Sequence, residues 1–89
     1  MGQERRPGGI AGFDFQSSVV LFEVTVIDME DYSASFVRPY GETGVLHESG
    51  LRNYGNNSVQ TVDFSSFADV TRLEVHFGGS GAIDDLVFT

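Results

Sequence analysis

The last twenty residues of the chain decide the fold class. Residues 70–77 read Val-Thr-Arg-Leu-Glu-Val-His-Phe, an alternation of apolar and polar side chains with a period of two. Residues 78–81, Gly-Gly-Ser-Gly, interrupt it, and residues 82–89 follow as Ala-Ile-Asp-Asp-Leu-Val-Phe-Thr. Because successive side chains of a strand point to opposite faces, this pattern predicts a strand, a turn and a second strand.

The same pattern recurs upstream, where short apolar segments are separated by Gly, Pro, Asn and Ser. We predict strands over residues 10–15, 18–28, 32–40, 45–48, 59–64, 70–77 and 82–88. Parallel strands need long crossover connections, and the connections here are too short for them. We therefore expect an all-β, antiparallel, jelly-roll-like β-sandwich of about seven strands. Alternation predicts this core: Val20, Phe22, Val24, Val26, Leu73, Val75, Phe77, Leu86 and Phe88.

The length and composition predict one small domain. The chain has 89 residues and no cysteine, so disulfides and thiolate metal sites are excluded. A domain of this size gains most from a metal ion, a partner or a well-packed core. Pro7-Gly-Gly9 separates the beginning of the chain from the apolar segments, so we expect a disordered lead over residues 1–9 and a single domain over residues 10–89.

The charge of the chain is strongly acidic. Thirteen acidic residues accompany five arginines and no lysine, which gives a net charge of -8. Binding to nucleic acid rests on neutralising phosphates with basic side chains, so we expect no nucleic-acid partner. The sequence also holds no apolar run of the roughly 18 residues that a membrane span needs, and the opening residues show no secretory signal.

Several local motifs resemble one known class of domain. They are a strand ending in Ile27-Asp28, the Tyr-Gly-Glu-Thr-Gly hairpin of residues 40–44, and the closing Gly-Ser-Gly-Ala-Ile-Asp-Asp-Leu of residues 79–86. Together, residues 13–88 are similar to the C-terminal part of jelly-roll, lectin-like sandwiches of exported bacterial surface proteins, including exosortase-sorted proteins of the PEP-CTERM type. The upstream strands and the hydrophobic sorting tail of those proteins are missing. The resemblance implies an extracellular or cell-surface, non-catalytic domain that binds glycans, trimmed or completed by a second copy.

Two groups of carboxylates are candidate calcium ligands. Calcium takes six to eight oxygen ligands, which loops at strand ends supply from carboxylates and backbone carbonyls. The resemblance implies that an acidic residue of the closing strand helps to hold a structural Ca²⁺. The alternative is that Asp28 caps a turn and that Asp85 faces solvent. The candidate ligands are Asp28, Glu30 and Asp31 at one strand end, and Asp84 and Asp85 on the closing strand.

A second candidate site is an aromatic and polar face. Its predicted members are Tyr32, Phe36, Arg38 and Tyr40 on one strand, and Arg72, Glu74 and His76 on another. If these strands are neighbours, rings and planar polar groups form one strip, which suits the apolar faces and the hydroxyls of sugars. The alternative is that Phe36 belongs to the core and the charged residues form a solvated face with cross-strand pairs. Tyr54, in a loop rich in Asn and Gly, is a further candidate, although such residues are also ordinary turn formers.

Enzymatic activity is not expected. His47 and His76 lie on different strands with no motif that couples them to a serine, and the chain lacks Cys and Lys nucleophiles. We predict a non-catalytic extracellular binding module for carbohydrate or surface polymer, stabilised by calcium. The alternative is a structural or assembly domain that forms a homodimer or is completed by a partner chain, with no small-molecule ligand.

Overall fold

The protein is all-β and antiparallel, as the sequence predicts. A computed structural model describes residues 4–6, 9–30, 35–52 and 58–89, and describes side chains for 9–27, 35–52, 58–79 and 81–89. These residues contain strands and no helix, and every strand pair is antiparallel. The strands are β1 (Glu4–Arg6), β2 (Gly9–Glu30), β3 (Ser35–Gly41), β4 (Gly44–Val45), β5 (Ser49–Leu51), β6 (Val59–Phe77) and β7 (Ser80–Phe88).

Two long strands, β2 and β6, organise the sheet. They pair along most of their length, in the strand order β1-β7-β2-β6-β3-β4, with β5 beside β3. The strands predicted at 10–15 and 18–28 are therefore one strand, and so are those predicted at 59–64 and 70–77. Residues 65–69, which the predicted strands leave between them as a connection, lie within β6, where Ser65 and Asp69 have φ angles of 63° and 64°. The register of pairing with β2 shifts around this segment without ending the strand, so the break in alternation suggests separate strands.

The long strands give the sheet two parts. The first half-sheet comprises residues 9–14 of β2, residues 72–77 of β6, and β3. The second half-sheet comprises residues 21–27 of β2, residues 59–67 of β6, and β7. In the first half-sheet, β2 and β6 pair without a shift of register as far as Asp14↔Arg72. Three shifts of register follow along β2 before the pairing becomes regular again at Glu23↔Asp63, in the second half-sheet. The regular part is where cross-strand neighbours can be read residue by residue.

The buried side chains of both half-sheets belong to one cluster. Leu73, Val75 and Phe77 come from the first half-sheet, and Val24 and Val26 from the second. All five were predicted to lie in the core, and the structure confirms them. The full cluster is Ala11, Leu21, Val24, Val26, Val37, Val70, Leu73, Val75, Phe77 and Ile83.

Part of the predicted core is wrong. Phe88 is 46% exposed. Val20 and Phe22 are only half-buried, and Leu21 is fully buried instead. Leu86 is half-buried but packs against the core cluster, as predicted. The register between β2 and both of its neighbours shifts between Leu21 and Glu23. Such an irregularity inverts which side chains point inward, so an alternation counted from Val24 fails before it.

The short strands differ from the predicted boundaries. Glu4–Arg6, assigned by the sequence to a disordered lead, pairs with β7. The predicted strand 45–48 is only Gly44–Val45, and the predicted loop after it contains Ser49–Leu51. The division of the chain into a lead and a domain stays a prediction. In the part of the chain that the structure describes, no helix has the length and apolar character needed to cross a membrane.

Candidate functional site

The outer face of the first half-sheet brings the predicted strip residues together. β3 and β6 are neighbours, so the condition that the sequence analysis set for a continuous strip is met. Three rows of side chains cross β3, β6 and β2 in that order: Phe36–His76–Ile10, Arg38–Glu74–Gly12 and Tyr40–Arg72–Asp14. We call Asp14, Phe36, Arg38, Tyr40, Arg72, Glu74 and His76 the polar strip.

Glu74 is the centre of the polar strip. Its Oε1 atom accepts hydrogen bonds from the Tyr40 hydroxyl and from His76 Nε2, both at 2.8 Å, and its Oε2 accepts one from Arg72 Nε at 3.0 Å. The hydrogen bond from His76 is the largest cause that lowers the pKa of Glu74 to about 2, against the opposing effect of burial. The side chain is only 16% exposed. Glu74 is thus a fixed, ionised acceptor at neutral pH.

The two arginines extend this network in both directions. Arg72 NH1 forms an ion pair with Asp14 Oδ2 at 2.8 Å, in addition to its bond with Glu74. Arg38 donates from NH1 to the Tyr40 hydroxyl at 3.2 Å and from NH2 to Glu48 Oε1 at 2.6 Å. Hydrogen bonds to Tyr40 and Glu48 raise the pKa of Arg38, and hydrogen bonds to Asp14 and Glu74 raise that of Arg72. The arginines are held in place by pairs that cross three strands.

The aromatic rings of the strip contact other protein groups. The Phe36 ring stacks on the His76 ring, with 4.2 Å between centroids and 18° between planes. The Arg38 guanidinium lies 4.5 Å from the Phe36 centroid. Phe36 is half-buried on the outer face and does not belong to the core cluster. One part of the alternative interpretation therefore fails, while its cross-strand charge pairs are present.

Sequence reasoning missed three contributors to this face. Asp14 and Glu48 pair with the arginines, and Gly12 lies beside Glu74. Asp14, between Phe13 and Phe15, has the alternation of an outward side chain, but nothing in the sequence gives its register against Arg72. The predicted ligands Tyr32 and Tyr54 lie outside the described residues.

The carboxylates of the closing strand lie apart from this face. The pairing of β2 with β7 passes from Thr25↔Asp85 to Val26↔Ile83, so Asp84 is the extra residue of a bulge. Both aspartates are exposed, and they line an open pocket of about 250 Å³ with Leu86 and Phe88. Asp85 Oδ1 accepts a hydrogen bond from the backbone N–H of Leu86 at 2.9 Å.

The other proposed calcium ligands cannot be placed by their side chains. Asp28 and Glu30 belong to the end of β2, opposite residues 80–82, but their side chains lie outside the described set, as does the whole of Asp31. Among the side chains that are described, no group of three His, Cys, Asp or Glu residues is arranged to hold a metal ion. Calcium binding therefore stays a prediction, which melting curves in calcium and in chelator would test.

A second pocket, of about 300 Å³, lies beside the turn between β3 and β4. The sequence did not suggest it, because its members come from distant segments. Hydroxyls, carboxylates and one apolar side chain line it: Ser18, Gly41, Glu42, Thr43, Leu46, Asp69 and Thr71. Polar groups of this kind suit hydroxyl-bearing ligands, although none of the lining residues belongs to the polar strip.

Comparison of the chain with family models, with curated proteins and with solved structures finds no match. The resemblance to bacterial surface sandwiches stays a prediction.

Proposed function

We propose that the protein is a non-catalytic, extracellular binding module for carbohydrate or another hydroxyl-rich surface polymer, and that the polar strip is its binding face. The observation that carries this proposal is the network centred on Glu74, which fixes planar donors and acceptors side by side on one accessible face. Side chains that are already held in one geometry lose little entropy when a ligand binds, so such a face favours recognition.

The chemistry of the strip suits hydroxyl groups. A hydroxyl both donates and accepts, and the strip alternates guanidinium donors with carboxylate acceptors. Arg72 and Arg38 keep 34% and 26% of their side-chain surface exposed, so their groups are within reach of a ligand. Ile10 is exposed beside His76 at the end of the strip and adds an apolar surface for the C–H face of a sugar ring.

We also infer that the two half-sheets are the two layers of a jelly-roll-like sandwich. Their buried side chains form one cluster, and stacked sheets bury such a cluster between their inner faces. In this arrangement the polar strip lies on an outer face. Nuclear Overhauser contacts between the methyl groups of residues 73–75 and those of residues 24–26 would test the layering.

Binding is tested by titrating the purified protein with soluble neutral and acidic polysaccharides in a calorimeter. The proposal expects saturable binding to at least one of them. Tyr40→Phe removes a hydroxyl that both accepts from Arg38 and donates to Glu74, so it should weaken binding. Glu23→Gln, in the second half-sheet, is the matched control and should bind like the wild type. Absence of binding by the wild-type protein to every polymer would refute the proposal.

The alternative function, self-assembly, is favoured by one observation on the second half-sheet. Val59 is 67% exposed, and alternation places it on the same outer face of the second half-sheet as the exposed Val87. A second copy or a partner chain that covered this face would remove apolar surface from water. Sedimentation equilibrium over a range of concentrations separates the two functions, because only the assembly function requires a dimer.

A further inference from the structure

Gly12 occupies an unusual place in the polar strip. It lies inside β2, directly beside Glu74, where a glycine weakens a strand unless another group approaches its backbone closely. Arg72 makes that approach. A Cβ atom at position 12 would lie 2.9 Å from Arg72 Cζ and 3.1 Å from its NH1, closer than ordinary contacts allow, and closer still to NH2. The guanidinium therefore rests in the space that a side chain would fill.

This position sets which atoms of Arg72 are engaged. Nε bonds to Glu74 Oε2 at 3.0 Å and NH1 pairs with Asp14 Oδ2 at 2.8 Å. The NH2 group, the guanidinium atom closest to position 12, donates no hydrogen bond to any residue that the structure describes. The Asp14 carboxylate is 78% exposed. A donor that has no hydrogen-bond partner among the described residues thus lies on the same guanidinium that pairs with an exposed acceptor, Asp14.

We propose that Gly12 is a positioning residue of the binding face: it admits the Arg72 guanidinium, whose NH2 group and the Asp14 carboxylate bind two adjacent hydroxyls of a neutral sugar. The inference rests on the proposed function and names its ligand class. One hydroxyl accepts from NH2 and the other donates to the carboxylate, as a vicinal diol can do.

The charges of the face select a neutral ligand over an acidic one. Arg38 and Arg72 are already paired with Glu48, Asp14 and Glu74. These groups leave no excess positive charge, and the whole chain carries a net charge of -8. An anionic polymer would meet repulsion from the chain without an unneutralised arginine to bind it.

Gly12→Ala tests the inference, with Gly50→Ala as the matched control. A Cβ at Gly50 meets nothing within 4 Å, so the control adds the same methyl group without displacing a neighbour. The probes are dextran, mannan and galactan, the same polymers after periodate cleavage of their vicinal diols and borohydride reduction, and polygalacturonate. We expect Gly12→Ala to raise the Kd for the neutral polymer that binds by about tenfold or more, and Gly50→Ala to leave it within about twofold. Oxidised polymers and polygalacturonate should bind more weakly than the intact neutral polymer.

A spectroscopic measurement separates positioning from general damage to the fold. In Gly12→Ala the Arg72 guanidinium must move, so the Glu74 carboxyl should titrate at a higher pH than in the wild type, as followed by carbon NMR. Gly50→Ala should leave that titration unchanged. Arg72→Lys keeps the charge but loses the planar fork, and we expect the same loss of binding from it. It also provides the binding test if Gly12→Ala does not fold.

The outcomes distinguish this inference from the proposed function. If the wild type binds a neutral polymer and Gly12→Ala binds it equally well, the positioning role is refuted and the proposed function stands. If oxidised polymer binds as well as the intact neutral polymer, the role of vicinal diols is refuted. If polygalacturonate, which keeps its vicinal diols, binds as well as the neutral polymer, the preference for a neutral ligand is refuted. If the wild type binds none of the probes, the proposed function and the diol site both fail. An unchanged Glu74 titration in Gly12→Ala refutes the positioning role independently of any ligand.

Discussion

The two half-sheets are built from the same two long strands, yet their outer faces differ in kind. The first half-sheet carries a network in which Glu74 alone accepts three hydrogen bonds from neighbouring side chains. On the outer face of the second half-sheet, a hydrogen bond joins the hydroxyls of Thr25 and Thr61 at 2.9 Å. The exposed Val59 lies on that same face.

The difference follows the register of the strands. Residues 9–14 pair with β6 without interruption, so side chains of three strands meet in straight rows. The second half-sheet contains shifts on the β7 side, next to Thr25 and around Glu23. A network of several partners needs every member in a fixed position, and a regular register supplies this where a bulged one does not. The more regular part of this sheet is therefore the better candidate for a preorganised binding site.

The largest expected effect concerns what both half-sheets share, the core. Phe77→Ala removes a buried ring from the cluster and should cost about 3–5 kcal/mol of the free energy of unfolding. Phe88→Ala, at a ring that is 46% exposed and contacts Phe15, should cost clearly less. Urea denaturation of both variants checks this order. Equal losses of stability in the two variants would show that the Phe88 ring at the end of β7 is buried as deeply as the Phe77 ring.

The core shows which buried positions can be predicted from the sequence and which cannot. Strict alternation at 73, 75 and 77 predicts the buried face of β6 correctly, because β6 pairs regularly there. The same counting fails at Val20 and Phe22, since the register shift after Leu21 depends on how β2 fits two neighbours at once. A bulge is set by tertiary pairing and has no signature in the alternation of a single strand.

The next effect concerns the network itself. Glu74→Gln should lower the free energy of unfolding by about 1–3 kcal/mol at neutral pH, because three donors lose a charged acceptor. The folded-state pKa of Glu74 lies near 2, below its ordinary 4.5, so the stabilisation is fully present above about 4.5 and is lost as the pH falls towards 2. The difference between wild type and variant should shrink over that range in urea denaturation curves.

Glu23→Gln in the second half-sheet is the control for this experiment. It should change stability by no more than about 0.5 kcal/mol, because no side-chain partner of Glu23 is found among the described residues. A pH-independent loss in Glu74→Gln, or an equal loss in Glu23→Gln, would contradict the contrast between the two faces.

The candidate site was predictable only in part. Because side chains of a strand alternate between its two faces, the sequence alone places Arg72, Glu74 and His76 on one side of β6. The meeting of Glu74 with Tyr40 depends on β3 and β6 being neighbours, which local sequence does not determine. Asp14 and Gly12 were missed for the same reason, since 60 residues separate Gly12 from Arg72 in the chain.

A smaller effect is expected from the hydroxyl pair of the second half-sheet. Thr61→Val should cost about 0.5–1.5 kcal/mol, because it leaves the Thr25 hydroxyl without this partner on a residue that is nearly buried. The double variant with Thr25→Val should cost less than the sum of the two single changes. Thermal unfolding of the wild type, the two single variants and the double variant provides the double-mutant cycle. Additive losses would show that the hydroxyls do not act as a pair.

The smallest effect is expected where the second half-sheet is most exposed. Val59→Lys places a charge on a side chain that is 67% open to water, so a monomeric binding module should keep its stability within about 0.5 kcal/mol. Its mass by sedimentation equilibrium and its affinity for polysaccharide should also be unchanged. Val45→Lys, at an exposed valine beside β3, is the matched control. If Val59→Lys alone converts a dimer to a monomer, the outer face of the second half-sheet is an interface, and assembly becomes the better account of this protein, because a charge destabilises only a surface that a partner removes from water.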